Sequence, residues 1–290
     1  MKARLSPWLF LAPYLLCTSV FFIYPFLDAI GLSFRQTSGV SISRFVGLAN
    51  YRFVLQDPDF HKALINTCLF AIGSIFLQLP LSLLFALFLN GAAGRLKVVY
   101  RLILFSPFMV GQIFAGIIFN VMYAPKYGLI NRVFHELSGW DVNHNWLQDP
   151  HWVMPALILA SLWMYVGLNS IYFLAALQNV DKSLMEAAKL DGCGHFKSFW
   201  HVTLPSIKPV AVYVVVMSTI GSFQLFELPY ALLGGSGPEN SGLTMVGYLN
   251  NHAFVAGDLG TGAAVGWILT LIIFVVSLAQ IRASRDRSPT

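Results

Sequence analysis

The feature that most constrains this chain is where its charges are absent. Six stretches, residues 8–34, 65–90, 102–123, 152–177, 210–233 and 262–281, make up half of the 290 residues, yet they hold only two charged side chains, Asp28 and Glu227. A bilayer core takes about 20 apolar residues of helix to cross. A charge at mid-depth costs about 2.5–3.5 kcal/mol on insertion scales, so lipid enforces this depletion. Runs such as Leu64–Leu89 and Ala263–Ala279 are apolar on every face and lack the two-residue alternation of a membrane strand. The expectation is an all-α membrane protein: six transmembrane helices forming one domain over residues 1–290.

Composition excludes the other classes. Charged residues are 11% of the chain and hydrophobic ones 57%, against about 25% charged in soluble domains. Disorder needs the opposite balance. The net charge of +5 gathers into no patch, which argues against a nucleic-acid partner. Cys17, Cys68 and Cys193 are scattered and form no disulfide framework or metal motif. Lys2 and Arg4 precede an apolar run that continues to Phe34, too long for a signal-peptide core, so 8–34 is expected to be retained.

Orientation follows from the connections. Twelve of the eighteen Lys and Arg fall on the side holding both termini and the 91–101 and 178–209 connections, and six on the other. The positive-inside rule then places both termini in the cytoplasm.

The connection 178–209 is long and has helical grammar. Asp181 or Ser183 can cap a start, with Ser183 and Glu186 at capping-box spacing. Ala187, Ala188 and Lys189 favour helix, and Gly192 can end it. A second short helix is expected from Gly194 to about His201, its Phe196, Phe199 and Trp200 at i, i+3 and i+4, stopped by Leu204-Pro205. Two readings fit: a solvated linker on the headgroups, or a docking element for a cytoplasmic partner.

The run Glu186-Ala187-Ala188-Lys189-Leu190-Asp191-Gly192, nine residues, then Val202-Thr203-Leu204-Pro205 resembles the EAA motif of ABC-importer permeases, with Val202 in place of isoleucine. The resemblance covers nearly the whole chain and is nearest to the carbohydrate-uptake branch (maltose, lactose and glycerol-3-phosphate type). Phe45–Arg52, Tyr127–Asn131, Asn145–Leu147, Gly234-Gly235 and Pro238 are similar to its external loops. Asp181, where relatives often have proline, and Gly194-His195 depart from the pattern.

The resemblance implies a permease subunit that forms a sugar pathway with a sister permease subunit. Two ABC ATPase subunits would bind the ATP, and an extracytoplasmic solute-binding protein would deliver the solute. This chain would hold no cofactor. The loop would seat in the ATPase through Glu186, Ala187, Ala188, Asp191, Gly192, Phe196, Phe199, Trp200, Leu204 and Pro205. Pure helix capping is the other reading of Glu186.

Inside the spans, polar residues are candidates for a pathway. Gln224 and Glu227 are expected on one helical face, with Pro229 breaking the helix after them. Asn120, Tyr165 and Asn169 are weaker candidates, and a polar contact with the sister subunit is the other reading of Glu227. Gly73, Ser74, Gly116, Gly167 and Gly266 are expected to serve helix packing.

Two further function classes compete. A stand-alone ion-coupled carrier would use Asp28 and Glu227. An intramembrane enzyme lacks its usual base, because all seven histidines lie outside the spans. No G-x-x-x-x-G-K-[ST] run is present to cradle ATP.

Overall fold

A computed structural model describes residues 6–38, 42–91, 95–139 and 144–285. Of the orienting charges, Lys2, Arg4 and Arg287 lie outside these. In chain order the elements are α1 (Ser6–Thr18), α2 (Tyr24–Ser33), β1 (Arg35–Ser38), β2 (Ile42–Phe45), α3 (Ala49–Gln56), α4 (Pro58–Gly91) and α5 (Arg95–Val110). Then come α6 (Gln112–Met122), α7 (Leu129–Ser138), α8 (Pro150–Gln178), α9 (Lys182–Leu190), α10 (His195–Ser198), α11 (Leu204–Phe223), α12 (Glu227–Leu233), α13 (Met245–Asn250) and α14 (Leu259–Arg285).

Among the described residues, five helices are long and apolar enough to cross a membrane: 8–33, 58–91, 150–178, 195–223 and 259–284. A sixth span exists if α5 and α6 count as one, but they meet at 98°. The span expected over 102–123 is therefore two helices that meet at a bend. Pro107 removes one backbone donor, and the freed Ile103 carbonyl accepts from the Ser106 hydroxyl at 3.0 Å. Gly111 then takes φ +83 and ψ 154, a conformation that suits glycine, and the chain turns.

Two other prolines do not stop their helices. Leu204-Pro205 was expected to end the second loop helix, yet 195–223 runs on as one rod. Residues Phe199–Thr203 widen into a π turn in which the Leu204 N–H bonds to the Phe199 carbonyl. The extra residue lets the ring fit where a regular turn would clash. The same device precedes Pro25, where the Tyr24 N–H bonds to the Ser19 carbonyl.

Contacts divide the chain into two units, residues 1–61 with 248–271, and residues 62–247 with 272–290. The first holds an antiparallel hairpin that the sequence reading did not foresee, with Arg35 opposite Phe45 and Gln36 opposite Arg44. Asn50 Nδ2 donates to the carbonyls of Ser33 (2.9 Å) and Arg35 (2.8 Å), pinning α3 beneath the strand. Phe26 meets Trp267 edge-on at 5.0 Å. The apolar side chains of α1 are exposed, Phe10 by 83%, as on a helix turned to lipid or to another subunit.

The second unit packs around α8. Ala156, Leu157, Ala160 and Met164 are buried against Phe119, Tyr123, Leu228 and Leu232. Towards the other end of α8, Phe173, Leu174 and Leu177 pack on Leu79, Ala86, Leu89 and Ile207. Small residues allow this closeness. A β-carbon at Gly167 would strike the Leu104 backbone, and one at Gly116 would meet Ala231 Cβ at 2.6 Å.

Candidate functional site

The first candidate is the loop between α8 and α11. Asp181 is the N-cap of α9 and accepts the Ser183 N–H at 2.8 Å, which holds its carboxyl below the ordinary value. Of the two caps the sequence offers, Asp181 takes the role, so the helix begins two residues earlier than a Ser183 cap would start it and Ser183 with Glu186 is not its capping box. At the far end Asp191 is the C-cap and Gly192 takes φ +74. The Cys193 N–H bonds to the Ala188 carbonyl at 2.9 Å and the Gly192 N–H to the Lys189 carbonyl at 3.1 Å. This pair is a Schellman motif, and its left-handed residue is best met by glycine.

The structure sorts the predicted loop residues by face. Glu186, Ala187, Asp191 and Gly192 are exposed, as are Phe196 (77%) and Trp200 (51%), whereas Ala188 is buried. The three aromatics do not share one outward face. Phe196 and Phe199 each stack edge-on with Trp200, at 6.2 and 5.7 Å, but Phe199 turns inward to line a cavity. Leu204 packs on the α8 core and Pro205 is exposed.

The second candidate is a cavity of about 310 Å³ inside the second unit, walled by α4, α6, α8 and α11. Three of the candidate pathway residues, Tyr165, Asn169 and Gln224, line it. Gln112 donates to the Tyr165 hydroxyl at 2.8 Å, and Asn169 to Ser218 at 3.5 Å. Tyr172 and Tyr213 meet edge-on at 5.8 Å on the wall.

Glu227 and Asn120 are not in this wall. The shared helical face expected for Gln224 and Glu227 is corrected: α11 ends at Phe223, Gln224 is its C-cap, and Phe226 leaves the helical region at φ −147. The break comes before Pro229, not at it. Pro229 lies in the first turn of α12, where its N–H would have no partner. The Thr244 hydroxyl donates to the freed Leu225 carbonyl at 2.7 Å. Asn120 donates to the Leu232 carbonyl at 2.9 Å, fastening α6 to α12. Asp28 is exposed on α2.

Sequence reasoning missed Gln78 and Gln112 in the wall. The signal was available, since each is an amide within an apolar run. Gln112 Oε1 is buried without a hydrogen-bond partner, an acceptor poised beside a polar cavity. Side chains of the segment between α6 and α8 also converge. Trp146 Nε1 donates to Asn131 Oδ1 at 2.6 Å, and Asn131 Nδ2 to the carbonyls of Pro125 and His144.

Residues 60–285 match the family described as the binding-protein-dependent transport system inner membrane component. The chain belongs to this family. It is a multi-pass inner-membrane transport component without catalysis of its own, which displaces the stand-alone ion-coupled carrier. Among the relatives of this inner membrane component, AraP, the arabinooligosaccharides transport system permease protein of Bacillus subtilis, is 39% identical, covering 97% of this chain and 89% of AraP. LacF, the lactose transport system permease protein of Rhizobium radiobacter, is 34% identical over 97% of this chain and 94% of its own. The sn-glycerol-3-phosphate permease protein UgpA of Agrobacterium fabrum is 31% identical over 98% and 96%. A bacterial ABC transporter that imports the acidic polysaccharide alginate has the same fold, with TM-score 0.85 at 20% identity over 99% of this chain and 98% of that one.

Proposed function

We propose that this chain is the permease subunit of an ATP-driven importer for a neutral oligosaccharide, forming the pathway with a sister permease subunit. Two ATPase subunits bind the ATP, and an extracytoplasmic solute-binding protein brings the solute. Both termini and the α9–α10 loop lie in the cytoplasm, following the excess of Lys and Arg on that side.

One observation carries the choice of solute: among the described residues no Lys, Arg or His lines the 310 Å³ cavity. An anionic solute such as glycerol phosphate calls for a charge-assisted donor. Amides, hydroxyls and tyrosine rings instead suit the hydroxyls and apolar faces of a neutral sugar. The relatives that transport arabinooligosaccharides and lactose agree with this direction.

The loop is the mechanical half of the reading. A short helix ended by a rigid glycine turn, joined to a 29-residue rod (195–223) that reaches the cavity, transmits displacement as a rigid body. Glu186, Asp191, Phe196 and Trp200 on its exposed side are the surface offered to the ATPase.

The test is uptake by the reconstituted complex in proteoliposomes, comparing an arabino-oligosaccharide, lactose and glycerol phosphate. ATP-dependent uptake of a neutral sugar is expected. Uptake of glycerol phosphate alone would overturn the assignment of solute, and uptake without ATP would overturn the importer reading.

A further inference from the structure

A second cavity, of about 490 Å³, lies between α9–α10 and the ends of α4 and α8, and neither half of the function uses it. Its wall combines three kinds of group. Lys182 and Lys189 supply positive charge, and the His195 imidazole stands in the same wall. On α9, Lys182, Met185 and Lys189 stand at i, i+3 and i+7, so both lysines share one stripe facing the cavity. Among the described residues no carboxylate lines it, and Asp181 beside it is turned to the Ser183 N–H.

The second kind is hydroxyl. Ser198 Oγ and Thr203 Oγ1 both point at Met185 Sδ, at 3.7 and 3.8 Å. A thioether is a weak acceptor, so both hydroxyls gain by turning to an anionic oxygen. The third is apolar: Leu87 and Leu177 belong to the last turns of two spans. The cavity therefore sits where acyl chains give way to headgroups.

We propose that this cavity takes the phosphate headgroup of an anionic phospholipid. The lysines meet the phosphate oxygens, Ser198 and Thr203 donate to the same group, and the upper acyl carbons lie along Leu87 and Leu177. Basic recesses between helices at the cytoplasmic face suit such headgroups, and each lysine near an anionic surface is worth a roughly fivefold gain in binding. A free phosphate ion shares the charge chemistry but has no use for the apolar end of the recess. The inference rests on α4 and α8 being spans and on the proposed cytoplasmic placement of the α9–α10 loop, not on the loop meeting an ATPase.

The test is lipid retention by the full-length chain in detergent, measured by native mass spectrometry after titration with phosphatidylglycerol or phosphatidylcholine. Phosphatidylglycerol is expected to be preferred. The exposed double change Lys182→Ala/Lys189→Ala should cut that preference by roughly thirtyfold, and Lys182→Arg/Lys189→Arg should keep it. An unchanged preference in the alanine variant overturns the proposal. Displacement of the lipid by millimolar inorganic phosphate also overturns it, by making a soluble anion the occupant. Because the readout is binding, loss of transport in either variant does not bear on the result.

Discussion

Asp258 accepts hydrogen bonds from the backbone N–H (3.5 Å) and the hydroxyl (3.2 Å) of Thr37, a residue 221 positions earlier. The same carboxylate accepts from the Thr261 N–H at 3.2 Å and hydroxyl at 2.7 Å, so it caps α14 while holding the edge of β1. The Gly260 N–H closes the arrangement by donating to the Thr37 hydroxyl at 3.0 Å.

This contact has a pH signature. Burial pushes the Asp258 carboxyl up, but the bonds from Thr261 and Thr37 outweigh it and leave its pKa below the ordinary value. A depressed folded pKa gives stability that is complete above the unfolded value, about 4, and is lost as pH falls through the folded one. Asp258→Ala should lower stability by about 1–2 kcal/mol at neutral pH. Thermal unfolding in detergent, compared with the parent chain at pH 7 and pH 3, should show the difference shrinking in acid. A constant difference would mean the carboxylate charge plays no part.

Gly192 has φ +74 and open space around its α-carbon, so a side chain there meets strain without a clash. Gly192→Val should cost about 1–2 kcal/mol locally and leave membrane insertion intact. In the reconstituted complex, ATP hydrolysis should continue while uptake falls. Glu186→Lys, on the exposed side of α9, should act alike without backbone strain. Parental coupling in both variants would remove the loop from the mechanism.

At Gly167 α8 packs directly on the α5 backbone, and a methyl there would strike Leu104. Gly167→Ala should therefore destabilise the chain by about 1–3 kcal/mol, seen as a lower melting temperature or poor recovery from membranes. Gly221→Ala, with nothing within 4 Å of the added carbon, is the matched control and should be near neutral.

Gln112 offers a buried acceptor beside the cavity. Replacing it with leucine removes that acceptor and the donor to Tyr165. One hydrogen bond is worth about 0.5–1.5 kcal/mol net, so transport by Gln112→Leu should require roughly two- to thirteenfold more sugar for half-maximal rate. An unchanged concentration dependence would place the solute elsewhere.

What could be read from sequence was whatever local chemistry decides. Charge depletion marks the apolar spans because lipid penalises each charge separately. The turn at Gly192 was legible because a helix former, a glycine and a cap lie within a few residues. The unwound segment at Gln224–Phe226 was not, because its carbonyl is satisfied by Thr244, nineteen residues away. The bend at Gly111 was equally hidden, since glycine within a span more often marks close packing, as it does at Gly116 and Gly167. Tyr165, Asn169 and Gln224 emerged from the rule that polar groups in spans carry function. Gln78 and Gln112 obey the same rule but need the fold to be seen on one wall.

The widened turn at Phe199–Thr203 has a geometric consequence. One extra residue in a helix offsets the azimuth of everything beyond it by roughly 100°. Phe196 and Tyr213 stand on either side of that offset along a single unbroken shaft. Regularising that turn at the present length would swing Tyr213 off the cavity wall by about a quarter turn, whereas deleting one residue between them would restore an ideal spiral and leave Tyr213 and every side chain beyond it aimed as they are.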